Sequence, residues 1–396
     1  MPGMVDAHVH FMDPAAPERE DFPAGSAAAA RSGVTTVIEH THAGPVRTPE
    51  DLQDKISYLQ GRSSVDFGLA AHAWPEGPPV EPVWRAGAAF IKAFTCTTHG
   101  VPGHDAAHLQ SLFQQVARAG AICLVHCEDE SLTGAAERRL REEGREDGGI
   151  VIDWRSRGAE LVAATVTALL AAESAANVVI AHASHRAIVE MASRERGPGR
   201  IHVETCPQYL TLLEEEVLEL GALRKFTPPA RARGPRDLSL MWVALAEGAV
   251  DYVSSDHAPA TRAQKRQGSI WDVHFGLPGV DTTFSVLLDG AARGLVSYER
   301  VVQLYSEAPA RIYGLKGKGR LEPGADADLV LVDPAQAWQV KDEDVLSKAG
   351  WSPFSGRTLL GRSVATYLRG VPLQEGSKLI EGPRGGRFIP GAGAVR

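Results

Sequence analysis

The sequence predicts an α/β protein, a (β/α)8 TIM barrel with a small, incomplete β-sandwich built from its C-terminal segment. Three observations carry that expectation. Eight short, β-rich apolar segments recur before residue 256. They are apolar nearly throughout instead of alternating, as strands covered on both faces should be. Helical patterning lies between most of them, and chemically capable side chains sit at the ends of several.

In order, the strand segments are Met4–His10, Val34–His40, Asp66–Ala73, Ala88–Phe94, Ala121–Cys127, Asn177–Ser184, Arg200–Cys206 and Asp251–Ser255. The intervening helices are expected at Pro49–Gln60, Asp105–Ala119, Ser156–Ser174, Ser184–Arg194 and Pro235–Glu247. Asp105 and Ser184 suit N-caps, and Gly61 and Gly120 suit C-terminal stops. Two crossovers, Glu18–Ser32 and Pro75–Gly87, are poor helical patterns. The charged run Glu137–Glu146 reads as a solvated helix surface. The long stretch His257–Val280, with Gly268, Gly276 and Gly279, reads as a loop that builds or covers a site. Beyond Leu315 the texture changes: a turn at Gly319–Gly324, strands at Ala327–Val332 and Ser363–Leu368, then a Gly/Pro-rich tail from Gly382.

The 396 residues divide by this reading into a catalytic barrel, 1–315, and a C-terminal sandwich segment and tail, 316–396. A net charge of -8 without a basic stripe argues against nucleic acid as a partner. No apolar run reaches the roughly 18–20 residues of a membrane span, and no signal pattern opens the chain. Cys96, Cys123, Cys127 and Cys206 lack zinc-knuckle spacing and read as reduced core thiols of a cytoplasmic protein.

The barrel rule puts function at the C-terminal ends of the strands. In Asp6-Ala7-His8-Val9-His10, strand alternation points both imidazoles the same way, half of a divalent-metal site. Lys92, His126, His182 and Asp256 end four later segments. One strand-end histidine is more often a satisfied core residue; six such residues in barrel order point to metal. Lys92 stands between Ile91, Ala93 and Phe94, where an ammonium would be poorly solvated and would repel a metal. CO2 addition would turn its amine into an anionic carbamate able to bridge two ions about 3.5–4 Å apart. The alternative is an ion pair with Asp256 or Glu128.

Several pieces together make the sequence resemble the cyclic amidohydrolases of the amidohydrolase superfamily, namely dihydroorotases, allantoinases, hydantoinases and dihydropyrimidinases. They are Pro2–His10, the Lys92 strand, His126-Cys127-Glu128, His182-Ala183-Ser184 and Glu204–Leu210. Pro228-Pro229-Ala230-Arg231, Ser255–Pro259, Gly276–Gly279 and Gly324–Leu329 complete the match, which runs from about residue 2 to 385. The resemblance implies that His8, His10 and Asp256 hold one metal, that His126 and His182 hold a second, and that carboxylated Lys92 bridges them. It implies zinc as the metal, a metal-bridging hydroxide as nucleophile, and Asp256 as the catalytic group that carries its proton to the leaving ring nitrogen. Glu128 is then a supporting group, and a homo-oligomer is expected.

Candidates for touching the substrate are Met12, Arg231 and Gly279, the last through its backbone. His40, His42, Thr98, His99 and His185 are further polar groups near the mouth. Met12 stands where dihydroorotases carry a carboxylate-binding Arg and allantoinases usually an Asn. Thr97 stands where typical hydantoinases and dihydropyrimidinases carry a Tyr. The expected activity is hydrolysis of a ureide or hydantoin-type ring, closest to allantoinase or hydantoinase. The alternatives are a dihydroorotase of pyrimidine biosynthesis and a non-catalytic scaffold relative. Because the resemblance begins inside the HxH motif, an N-terminally shortened chain is a further expectation.

Overall fold

Segments apolar on both faces need cover on both sides, and in the computed structural model the expected strands are buried along almost their whole length. Residues 1–195, 200–380, 382 and 384–395 are described. The barrel strands are β1 (Met4–Val9), β2 (Val34–Glu39), β3 (Asp66–Leu69), β4 (Ala71–His72) and β5 (Ile91–Phe94). They continue as β6 (Ile122–His126), β7 (Asn177–Ile180), β8 (Ile201–Thr205) and β9 (Tyr252–Val253). The expected third strand is thus split at Ala70, whose N–H still reaches Glu39 O at 3.0 Å.

All pairings are parallel, in the order β1-β2-β3 and β4 through β9. The ring closes where Val9 bridges His257 and His10 N–H donates to His257 O at 2.8 Å. Asp6 helps at the same seam, its carboxylate accepting from Ser255 N–H at 3.0 Å and from the Tyr305 hydroxyl at 2.8 Å.

The helices follow the expected pattern with two differences. Ala106–Ala119 starts on the Asp105 cap and stops at left-handed Gly120; Arg157–Ser174 starts on Ser156. The unpromising stretch Glu18–Ser32 does form a helix, Phe22–Arg31, because Asp21 caps Ala24 N–H at 2.8 Å and Pro23 presets its first turn. Its alanine run is helix-forming and small enough to lie against the barrel. Ser184 is not a cap: Arg186–Arg194 begins two residues later without a side-chain cap, because the Ser184 hydroxyl is taken by the buried Glu160.

The charged stretch is an exposed helix, Glu130–Glu142. Beside it Leu140, Ile150, Trp154, Val217, Ile270 and Phe275 form a small core under the 257–280 loop. The C-terminal strands β10 (Leu329–Gln339), β11 (Thr358–Leu368), β12 (Val371–Glu375) and β13 (Lys378–Leu379) form one antiparallel sheet. Both expected strands there are present and longer than predicted. Pro2 bridges Leu329, so the chain start joins this sheet. Of the Gly/Pro-rich tail, residues 383 and 396 lie outside the described ones, as does residue 381 before it; Arg387–Ile389 runs back beside Phe67.

Candidate metal centre and active site

Six side chains at or near strand ends meet in one cavity: His8 near the end of β1 and His10 after it, Lys92 on β5, His126 ending β6, His182 beyond β7 and Asp256 beyond β9. His42, His99, Phe94, Thr227, Ala258, Phe275 and Gly276 complete its wall. Among the described residues, three of the six non-glycine residues with positive φ line this cavity: His99, His182 and Asp256. Left-handed backbone is costly for such residues and persists where surrounding structure enforces it, as at sites. The turn at His182 and Asp256 swings each side chain off its strand toward the centre.

The donors form two groups. His8 Nε2 and His10 Nε2 approach the same Asp256 oxygen, at 3.1 and 3.4 Å. On the other side, His126 Nδ1 lies 3.0 Å from His182 Nε2. The far nitrogens explain which atoms face inward. His8 Nδ1 is held by Glu204 at 2.9 Å and His126 Nε2 by Glu128 at 2.8 Å, both buried carboxylates. Each acid fixes a tautomer, leaving a lone pair on the inward nitrogen, the arrangement typical of metal-bound imidazole.

This donor set fits divalent metal on its own chemistry. His126 Nδ1 and His182 Nε2 face each other; if His182 carries its proton there, its buried Nδ1 is left with no hydrogen-bond partner, as it is among the described residues. With His126 Nε2 committed to Glu128, its Nδ1 presents a lone pair toward His182 Nε2, and a cation between the two rings would accept both inward lone pairs. Burial lowers the His10 imidazole to about 4 and pulls His126 and His182 below their usual range, keeping them available as neutral ligands. Burial also opposes charge on Asp256, but His8 and His10 hold its carboxyl well below the usual range. Burial lowers His8 too, yet Glu204 and Asp256 outweigh it and hold the ring at about 9, so a cation at its inward nitrogen would have to replace a proton there.

Lys92 is 1% exposed, and burial lowers its amine. Among the described residues no carboxylate comes within ion-pair distance of it. Glu128, one anticipated partner, is engaged by His126, by Arg155 at 3.2 Å and by the Thr227 hydroxyl at 2.6 Å. Asp256, the other, faces His8 and His10.

The three substrate-contact candidates are not brought to this wall. Met12 is fully buried, its sulfur accepting from the Thr41 hydroxyl at 3.1 Å. Arg231 lines a different cavity with Arg157, His185 and Tyr209, its Nε 3.5 Å from Glu160. Gly279 uses its N–H on His257 Nδ1 at 3.0 Å and its carbonyl on Thr282 and Thr283, so neither is left for a ligand.

Sequence reasoning missed Glu204 as a site residue. Its signals were a lone acid in the strand Ile201–Thr205 and its place at the head of the Glu204–Leu210 piece of the resemblance. His40 also gains weight: its ring centre is 4.2 Å from that of His8 and 4.5 Å from that of His10, and neither nitrogen has a described partner. His8, His10 and His40 together could close on one ion.

Residues 1–354 match the amidohydrolase family. The chain is 34% identical to a dihydroorotase of Halobacterium salinarum over 377 residues, which are 95% of this chain and 86% of that protein. It is 35% identical to an allantoinase of Rubrobacter xylanophilus over 400 residues, 98% of this chain and 87% of the relative. Among solved structures, the L-hydantoinase (dihydropyrimidinase) from Arthrobacter aurescens superposes with a TM-score of 0.92 at 28% identity, covering 98% of this chain and 88% of that one. Barrel, strand-end donors and whole-length similarity agree: the chain belongs to the amidohydrolase family.

Proposed function

We propose that this amidohydrolase opens an uncharged cyclic amide, a ureide or hydantoin-type ring, at a binuclear metal centre. His8, His10 and Asp256 would hold one ion, His126 and His182 the other, and Lys92 as its CO2 adduct would supply a further anionic ligand. Zinc suits this nitrogen and oxygen donor set. When bound, the metal pair supplies a hydroxide near neutral pH and polarises the ring carbonyl. The observation that carries this reading is the convergence of six strand-end donors on one buried cavity, with Glu204 and Glu128 behind two of them.

The protein's own groups divide the remaining work. Glu204 and Glu128 hold His8 and His126 in the tautomers that present lone pairs inward. Asp256, kept ionised, takes the proton of the attacking water and returns it to the leaving ring nitrogen. Phe94 and Phe275 give the cavity apolar walls that limit water around the ring. The same wall supports a neutral substrate. Among the described residues Lys92 is the only lysine or arginine lining it, so the wall offers no free guanidinium or ammonium to a ring carboxylate. The four buried free cysteines support a reducing, cytoplasmic setting.

The test is turnover of allantoin, hydantoin, 5-substituted hydantoins, dihydrouracil and dihydroorotate by chain prepared with zinc and bicarbonate. Opening of a neutral ring is expected. Dihydroorotate as the preferred substrate would instead favour the activity named for the Halobacterium relative, and silence across the panel with metal bound would overturn the cyclic-amide reading.

A further inference from the structure

One wall of the cavity is left unused by this chemistry. His42, after β2, and His99, after β5, stack there with ring centres 4.3 Å apart and planes 21° from parallel. Phe275 closes on His99 from the side, centre to centre 5.8 Å at 82°. His99 holds φ of 55° within a turn pinned by mutual Thr98 and Val101 backbone hydrogen bonds of 3.1 and 2.8 Å. Such backbone is uncommon for a non-glycine residue, and here it accompanies a ring that lines the cavity. Among the described residues neither ring has a hydrogen-bond partner, and His42 Nδ1 is fully buried. Thr97, two residues earlier, is exposed instead, its N–H held by Glu130.

We infer that His99 is a specificity residue. Its imidazole N–H donates to a ring carbonyl other than the one under attack, and His42 is the platform that holds it. This rests on the cyclic-amide reading and adds to it the residue that reads the ring's second carbonyl, the one beside its N–H. A neutral imidazole presents one donor and one acceptor. A ureide edge offers the complementary pair, one N–H and one C=O. A ring without the second carbonyl would leave the His99 donor unmatched, the form of discrimination that hydrogen-bonding pockets achieve best.

The experiment compares wild type, His99→Phe and His99→Gln, all zinc-loaded, on hydantoin and on 4-imidazolidinone, which lacks the second carbonyl. Phenylalanine keeps the stacking and loses the hydrogen bond; glutamine keeps a donor. His99→Phe should raise KM for hydantoin about tenfold while kcat moves less than about threefold, the scale of one hydrogen bond left unmade. His99→Gln should stay within about threefold of wild type, and only His99→Phe should lose the preference for hydantoin over 4-imidazolidinone. Metal content and Tm, measured on all three, should not change. An unchanged KM in His99→Phe, a loss confined to kcat, or equal damage by His99→Gln overturns the assignment. If wild type opens neither these rings nor any in the wider panel, the cyclic-amide reading fails first and takes this one with it.

Discussion

Glu204 and Glu128 act on two different histidines in the same way. Each buried acid accepts from the outward nitrogen and so dictates which nitrogen faces the centre. Removing that support leaves the ligand in place but unaligned. Glu204→Gln is expected to weaken metal binding by roughly 10–100-fold, read by competition with a chromophoric chelator. Unchanged affinity would mean that Glu204 only fills space. At Lys92 the prediction is chemical: mass spectrometry under native conditions with bicarbonate should show one added CO2, absent from Lys92→Ala. The six strand-end donors were legible because a strand end is a one-dimensional landmark. Glu204 was not, because its partner His8 is 196 positions away and only barrel closure brings them together. The engagement of Gly279 was not legible for a related reason: its N–H goes to His257, 22 residues earlier, a contact that only the fold makes.

Local chemistry sets the elements, and where it was read fully the elements agree. Asp105 and Gly120 bound their helix as their residue types suggest. The helix Phe22–Arg31 went unrecognised because its pattern is alanine-rich instead of amphipathic, although Asp21 and Pro23 carried a start signal. Asp21→Ala should therefore cost about 1 kcal/mol of stability, measured as a lower urea midpoint with an unchanged m-value. A shift near zero would show that packing alone holds that helix. Ser184 failed as a cap because Glu160, 24 residues earlier, competes for the same hydroxyl. The break of the third strand at Ala70 has no marker in the sequence that we can name.

At the scale of the whole molecule, the continuous apolar segments made the barrel legible, since only strands covered on both faces need them. The antiparallel sheet was harder to bound: its half-exposed strands alternate, and β10 and β11 run well past the short apolar pieces that announced them. The buried interior also predicts an acid response. His104 donates from Nδ1 to Phe94 O at 3.1 Å, and burial lowers its pKa from 6.5 to about 4. Because the folded value lies below the unfolded one, its contribution is complete above pH 6.5 and is lost as pH falls toward 4. The urea midpoint should drop between pH 7.5 and 5, and His104→Gln should flatten that dependence; an unaltered slope would remove His104 from the account.

The central claim is that two metal ions, held by His8, His10, Lys92, His126, His182 and Asp256, open a cyclic amide. It is tested most directly by stripping the chain with a chelator and adding zinc back stepwise in bicarbonate, while following ring opening of the best substrate in the panel. The account predicts no turnover in the stripped chain and a rise that levels off at two equivalents per chain. Full activity without metal, or a plateau at one equivalent, would contradict it.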